Sequence, residues 1–176
     1  EIFFKPLFDA KNIPLTITLR EFYEYSHIDL NMYSLELNEY KIQLVSHKTF
    51  PDLPLLTAIH MSCAIPMIIS PVCFEGKCFV DGGILNNFPI EPLKEGCLKI
   101  LGSFVNPIEE IDKSEINSSM ELMYRVYHIG LDANNIKKFA ECDYVFSPKD
   151  IDKVGVLDAN GIDKAYKIGY ESAQKE

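Results

Sequence analysis

At 176 residues, 47% of them hydrophobic, the chain is long enough to bury a substantial core, and its length favours one domain over two. A formal net charge of −9 makes long-range attraction to nucleic acid or to an anionic lipid surface unfavourable, so a lipid partner must be met through apolar surface or a local basic patch. No stretch approaches the ~20 consecutive apolar residues of a membrane-spanning helix; the best candidate, Ala64 to Phe74, is interrupted by Pro66 and Pro71.

The opening run from Glu1 to Pro6 has neither the charged nor the apolar region of a signal peptide, and the chain is expected to begin in mid-domain. Thr18 and Glu21 form a capping box that opens a helix ending near Ser26. Alternation at Ile28/Leu30/Met32 and at Tyr40/Ile42/Leu44, with Asn38 and Glu39 between, predicts a strand pair over 28–35 and 40–45. Asp52 and Pro54 then suit the start of a helix carried by Leu55, Leu56, Ile59 and Cys63, which Pro66 stops. Lys77 to Asp81 reads as a short strand, and the apolar run from Leu98 to Val105 as a strand covered on both faces. Ser118 and Glu121 make a second capping box before a helix running towards Lys138; Tyr144 to Phe146 is a brief strand, and Ile162 to Ala173 the closing helix. Helices alternating with short apolar strands predict an α/β fold with a mainly parallel sheet, and the absence of repeats or linkers predicts one continuous piece.

The cysteines at 63, 73, 78, 97 and 142 contain no CxxC and no zinc-like spacing with histidine, so reduced thiols are expected and no metal is implied. His60 and Cys63 lie one helical turn apart and could form a thiol–imidazole pair, although Cys in an apolar helix is more often a small core residue. His27, His47 and His128 are scattered and read as ordinary surface or core residues.

The chemistry concentrates in Phe79-Val80-Asp81-Gly82-Gly83, followed by Asn86-Asn87-Phe88-Pro89. Asp before two glycines at a strand end is commonly a turn, since glycine tolerates positive φ and Asp bonds nearby backbone N–H groups. The functional alternative is a carboxylate delivered to the end of a sheet strand, with glycines admitting a close neighbouring chain. Both readings predict the apolar neighbours Cys78 to Val80.

Four pieces in order, Met61-Ser62-Cys63-Ala64-Ile65-Pro66, Pro71-Val72, Phe79-Val80-Asp81-Gly82-Gly83 and Asn87-x-Pro89, resemble the patatin-like phospholipases. Weaker likenesses at 18–23, 28–31 and 166–173 extend the resemblance over nearly the whole chain. It implies a three-layer α/β/α domain with a mainly parallel central sheet, of which residues 1–176 are the C-terminal part and the N-terminal part is missing. It also implies that Asp81, with Gly82 and Gly83 of the Asp-Gly-Gly motif, supplies the base of a Ser-Asp dyad in a lipid acyl hydrolase. The nucleophile would sit in a G-x-S-x-G elbow and the oxyanion hole in a glycine-rich loop. No pair of the nine glycines frames a serine in that way, and Val105 stands where Gly102-Ser103 would need its final glycine. Ser103 and Ser62 therefore read as structural, and this piece alone is expected to be inactive.

The implied substrate is a phospholipid or another fatty-acyl ester, met at a peripheral membrane or lipid-droplet surface from the cytoplasm, with no cofactor and no nucleic acid. Two alternatives stand beside this reading: a catalytically dead patatin-like module that binds lipid or protein, and a Cys63/His60 hydrolase. In any version, a carboxylate of ordinary pKa, about 3.9, is a poor base for a serine hydroxyl and must be desolvated and aligned.

Overall fold

The computed structural model describes residues 4–66, 68–96, 98–105, 117–132, 135–148, 151, 154 and 159–175. The chain divides into two compact units, Glu1–Asn87 and Phe88–Glu176, and the fold is α/β in composition.

The first unit opens with helix α1 (Lys5–Ala10), started by Pro6 in its first turn, and α2 (Leu19–Ser26). The capping box of α2 is present: Thr18 Oγ1 accepts from the Glu21 N–H, and Glu21 Oε2 accepts from the Thr18 N–H at 2.8 Å. His27, left-handed at φ 55°, ends the helix. Strands β1 (Met32–Glu36) and β2 (Lys41–Val45) follow, then α3 (Leu55–Ser62), β3 (Val72–Phe74), β4 (Lys77–Asp81) and the single-turn helix α4 (Gly83–Asn86).

The four strands form one sheet in the order β2-β1-β4-β3. A mainly parallel sheet was expected, yet every pairing here is antiparallel. For two of the three pairings the reason is connection length. β1 and β2 are joined by residues 37–40 and β3 and β4 by Glu75 and Gly76, and parallel neighbours need a crossover of a dozen or more residues. Positive φ at both Glu75 (50°) and Gly76 (77°) is the two-residue hairpin geometry whose twist matches that of the flanking strands.

α3 packs on this sheet. Leu19, Leu53, Ala58, Met61, Val45 and Phe79 are almost wholly buried together, and Phe50 meets both Phe74 and Phe79 edge-to-face. Three expectations are adjusted. β1 begins at Met32 rather than Ile28, which is exposed, because Asn31 instead turns its amide back to the Asp29 carbonyl (3.0 Å). β2 begins at Lys41 rather than Tyr40, which ends the turn before it; Tyr40 and Ile42 face solvent and Val45 is the buried residue. Asp52 does not cap α3; its carboxylate pairs with Arg20 at 3.1 Å, and Pro54 occupies the N-cap position.

The second unit contains β5 (Leu101–Ser103), α5 (Ser119–Asp132), α6 (Ile136–Phe139), β6 (Tyr144–Phe146) and α7 (Ile162–Gln174). β5 and β6 run parallel, with α5 and α6 in the long connection between them. Phe88, Ile90 and Phe104 form a separate small core with Phe139 and Val145, its three phenylalanines packed edge-to-face. Leu101 is 72% exposed, so β5 is not the strand covered on both faces that the apolar run predicted. Ser118 Oγ accepts from the Glu121 N–H as expected, while Glu121 reaches back to the N–H of Asn117. The helix it opens stops at Asp132, and α6 carries the chain past Lys138. No helix among the described residues is long and apolar enough to cross a membrane.

Candidate active site

Asp81 is the last residue of β4, and β4 is an interior strand. Two long-range ties fix its backbone: its N–H donates to the Ala64 carbonyl at 3.0 Å, just beyond the end of α3, and it pairs in register with Ser34 of β1. Ser34 is itself wholly buried, and its hydroxyl lies 2.7 Å from the Val80 carbonyl and 3.0 Å from that of Met61, so it joins β1, β4 and α3 immediately behind Asp81.

The two glycines are required by contact rather than by positive φ. Gly82 is right-handed (φ −71°), and a Cβ there would fall 2.5 Å from the Tyr33 carbonyl carbon and 2.8 Å from the Ser34 nitrogen, against rigid backbone. A Cβ on Gly83 would fall 2.9 Å from both Asp81 Oδ1 and Asn87 Oδ1. The sequence alternative in which glycine admits a close neighbour therefore describes Gly82. Gly83 begins α4, and its N–H donates to Asp81 Oδ1 at 2.7 Å. Asn87 brings its amide oxygen to the same place.

The Asp81 carboxyl is half-buried. Burial pushes its pKa above the ordinary carboxylate value, and the Gly83 N–H partly opposes this by stabilising the charged form. Among the described residues no donor bonds Oδ2. The arrangement is a desolvated carboxylate with one oxygen anchored and the other able to accept a proton.

Cys63 and His60 do lie together, lining an apolar pocket of about 410 Å³ with Leu56, Ile59 and Ile69. They do not form a thiol–imidazole pair. The imidazole Nε2 faces the Ser70 carbonyl at 3.2 Å, and the Cys63 thiol is pushed up, first by burial and then by the negative charge of Asp81. A nucleophilic cysteine needs the opposite shift. His27 caps α2, His47 stacks on Tyr23 at 3.9 Å, and the side chain of His128 lies outside the described residues. Ser62 closes α3 and Ser103 lies exposed in β5.

Cys73 and Cys78 form a disulfide across the β3–β4 hairpin, where reduced thiols were expected. The signal was present in Phe74-Glu75-Gly76-Lys77: a two-residue turn at Glu75-Gly76 puts residues 73 and 78 directly opposite. Among the described residues, no group of three or more His, Cys, Asp or Glu side chains is placed to hold a metal ion.

The patatin-like phospholipase family model matches residues 1–94, a stretch that includes Asp81, Gly82 and Gly83. A protein named "Probable lipid hydrolase 463L" from Invertebrate iridescent virus 6 is 31% identical over 81 residues, 46% of this chain and 28% of the relative. "Uncharacterized protein YqhO" of Bacillus subtilis (strain 168) is 33% identical over 110 residues, 57% of this chain and 38% of its own. "Uncharacterized protein R571" of Acanthamoeba polyphaga mimivirus is 26% identical over 160 residues, 86% of this chain and 52% of its own. The chain thus spans about half or less of the length of these relatives.

Proposed function

Since the chain belongs to the patatin-like phospholipase family, we propose that residues 1–176 are the C-terminal part of one patatin-like domain and that Asp81 is the general base of a lipid acyl-ester hydrolase. The observation that carries this is the state of Asp81: a half-buried carboxylate at the end of β4, with Oδ1 held by the Gly83 N–H and Oδ2 unbonded by any described donor.

In the proposed cycle, a serine from sequence outside these residues gives its hydroxyl proton to Asp81 as its oxygen attacks the ester carbonyl. The tetrahedral oxyanion collapses, the C–O bond to the alcohol breaks, and Asp81 returns the proton to the leaving oxygen. Water then repeats the sequence on the acyl-serine, with Asp81 as base again, releasing the fatty acid. The raised pKa of Asp81 supports this role, because a base nearer the working pH accepts the proton more readily. The substrate would be a phospholipid, lysophospholipid or neutral glyceride, met at a lipid surface from the cytoplasmic side.

Asp81→Asn in the intact protein tests the reading. The amide keeps the shape of the carboxylate but cannot take the proton, so turnover of a short-chain ester and of a phospholipid should fall about 10²–10⁴-fold. Near-normal turnover with a lowered thermal midpoint would make Asp81 a turn residue. An intact protein with no serine nucleophile would instead be a lipid-binding relative without catalysis.

A further inference from the structure

The peptide unit that leads into Asp81 is held at both of its edges. It is trans, so the Val80 carbonyl and the Asp81 N–H lie on opposite sides of one rigid plane. On one side the N–H donates to the Ala64 carbonyl at 3.0 Å, and on the other the carbonyl accepts from the Ser34 hydroxyl at 2.7 Å. Tilting that plane changes φ of Asp81, and with it the direction in which the side chain leaves the strand. The Gly83 N–H then holds Oδ1, but a single bond at the carboxylate orients it only once the Cα is placed.

Ser34 is suited to this contact. It is 0% exposed, and a hydroxyl taken wholly out of water is unfavourable unless it is hydrogen-bonded. Its oxygen also lies 3.0 Å from the carbonyl of Met61, in the last turn of α3. A helix end leaves such carbonyls without their usual donors, and here the Ile65 N–H, which a continuing helix would give to Met61, goes to the Cys63 carbonyl at 2.9 Å. One hydroxyl proton serves both acceptors, with the shorter bond to Val80 ahead. Both edges of the Val80–Asp81 peptide are thus referred to one support, the end of α3: one through Ala64 directly, the other through Ser34 and Met61.

We propose that Ser34 is a positioning residue for Asp81, whose hydroxyl holds the Val80–Asp81 peptide against the end of α3 and so keeps the carboxylate aimed for proton transfer. The proposal rests on the reading of Asp81 as the general base. Wholly buried, Ser34 meets no substrate and acts only through Asp81.

The test compares wild type with Ser34→Ala in the intact protein, each well below its own thermal midpoint. Loss of the hydroxyl should lower kcat for a short-chain ester about 10–10²-fold and leave KM nearly unchanged, because the substrate is still bound while the base is misaimed. Independently of turnover, the Asp81 carboxyl, followed by carbon NMR, should titrate closer to the ordinary carboxylate value in Ser34→Ala than in wild type, as a less firmly held side chain reaches water. If Ser34→Ala does not fold, Ser34→Cys decides: the thiol is a weaker donor in the same place, and the same two changes should appear to a smaller degree. Unchanged kcat and an unchanged Asp81 titration, with only the thermal midpoint lowered, overturn the proposal and leave Ser34 as a core serine. Near-normal turnover in Asp81→Asn would sink the base reading instead, and the Asp81 titration in Ser34→Ala would still decide whether Ser34 places that carboxylate.

Discussion

Asp81 bears an electrostatic cost that titration can read separately from catalysis. Its folded pKa is raised by burial, so below the ordinary carboxylate range, about 3.9, folded and unfolded chains both hold the proton and the cost is absent. As pH rises from there through the raised folded value, the unfolded chain ionises first and stability is lost. Comparing thermal midpoints of wild type and Asp81→Asn at pH 4 and pH 7 should therefore show the difference moving in favour of Asn at the higher pH; a movement the other way would mean that Asp81 is stabilised as an anion. Gly82→Ala addresses the neighbouring position. With a Cβ only 2.5 Å from the Tyr33 backbone, β1 and β4 must part, and chemical denaturation should show a loss of about 1–3 kcal/mol. An unchanged midpoint would show that the turn moves freely. At this scale the sequence named Asp81 and its glycines correctly as a strand end, but not Ser34 or Glu36. Both continue the phase begun by Met32, and polar residues in the core-facing phase of a strand are the sign that their hydrogen bonds must be found inside.

Elements with local signals were legible, and those that depend on partners far along the chain were not. The Thr18 capping box set α2 to the residue, and Lys77–Asp81 and Tyr144–Phe146 are the strands expected. Alternation of helices with strands implies crossovers and parallel neighbours, whereas turns of four and two residues make β1–β2 and β3–β4 antiparallel hairpins, and the antiparallel β1–β4 pairing joins residues 47 apart that no local signal announces. The Cys73–Cys78 bond follows from the same turn and makes its own prediction. Closing so short a loop is worth about 2 kcal/mol in the chain-entropy model, so reduction should destabilise the chain by up to that amount. Cys73→Ser should reproduce the loss, and a reductant should then add nothing further. A reductant effect that persists in Cys73→Ser would place the sensitivity elsewhere.

Taken whole, the molecule combines membership of the patatin-like phospholipase family with a charge that opposes anionic surfaces. With a net charge of −9, sedimentation of the chain with vesicles should weaken as the anionic lipid fraction rises, and moderate salt should relieve that loss rather than deepen it. Stronger binding to anionic vesicles at low salt would reveal a basic patch that outweighs the total. The pairing of β1 with β4 carries a further consequence, for the order of assembly. The β3–β4 hairpin closes over two residues, but Ser34 and Asp81, partners in the sheet, stand 47 residues apart in the chain. Loop-closure entropy must be met before that ladder returns anything, so the two hairpins and α3 can form while Asp81 is still an ordinary solvated carboxylate. Its altered proton affinity belongs to the folded chain, in which β1 and β4 are paired, and this makes the titration of one side chain a reporter of that non-local pairing.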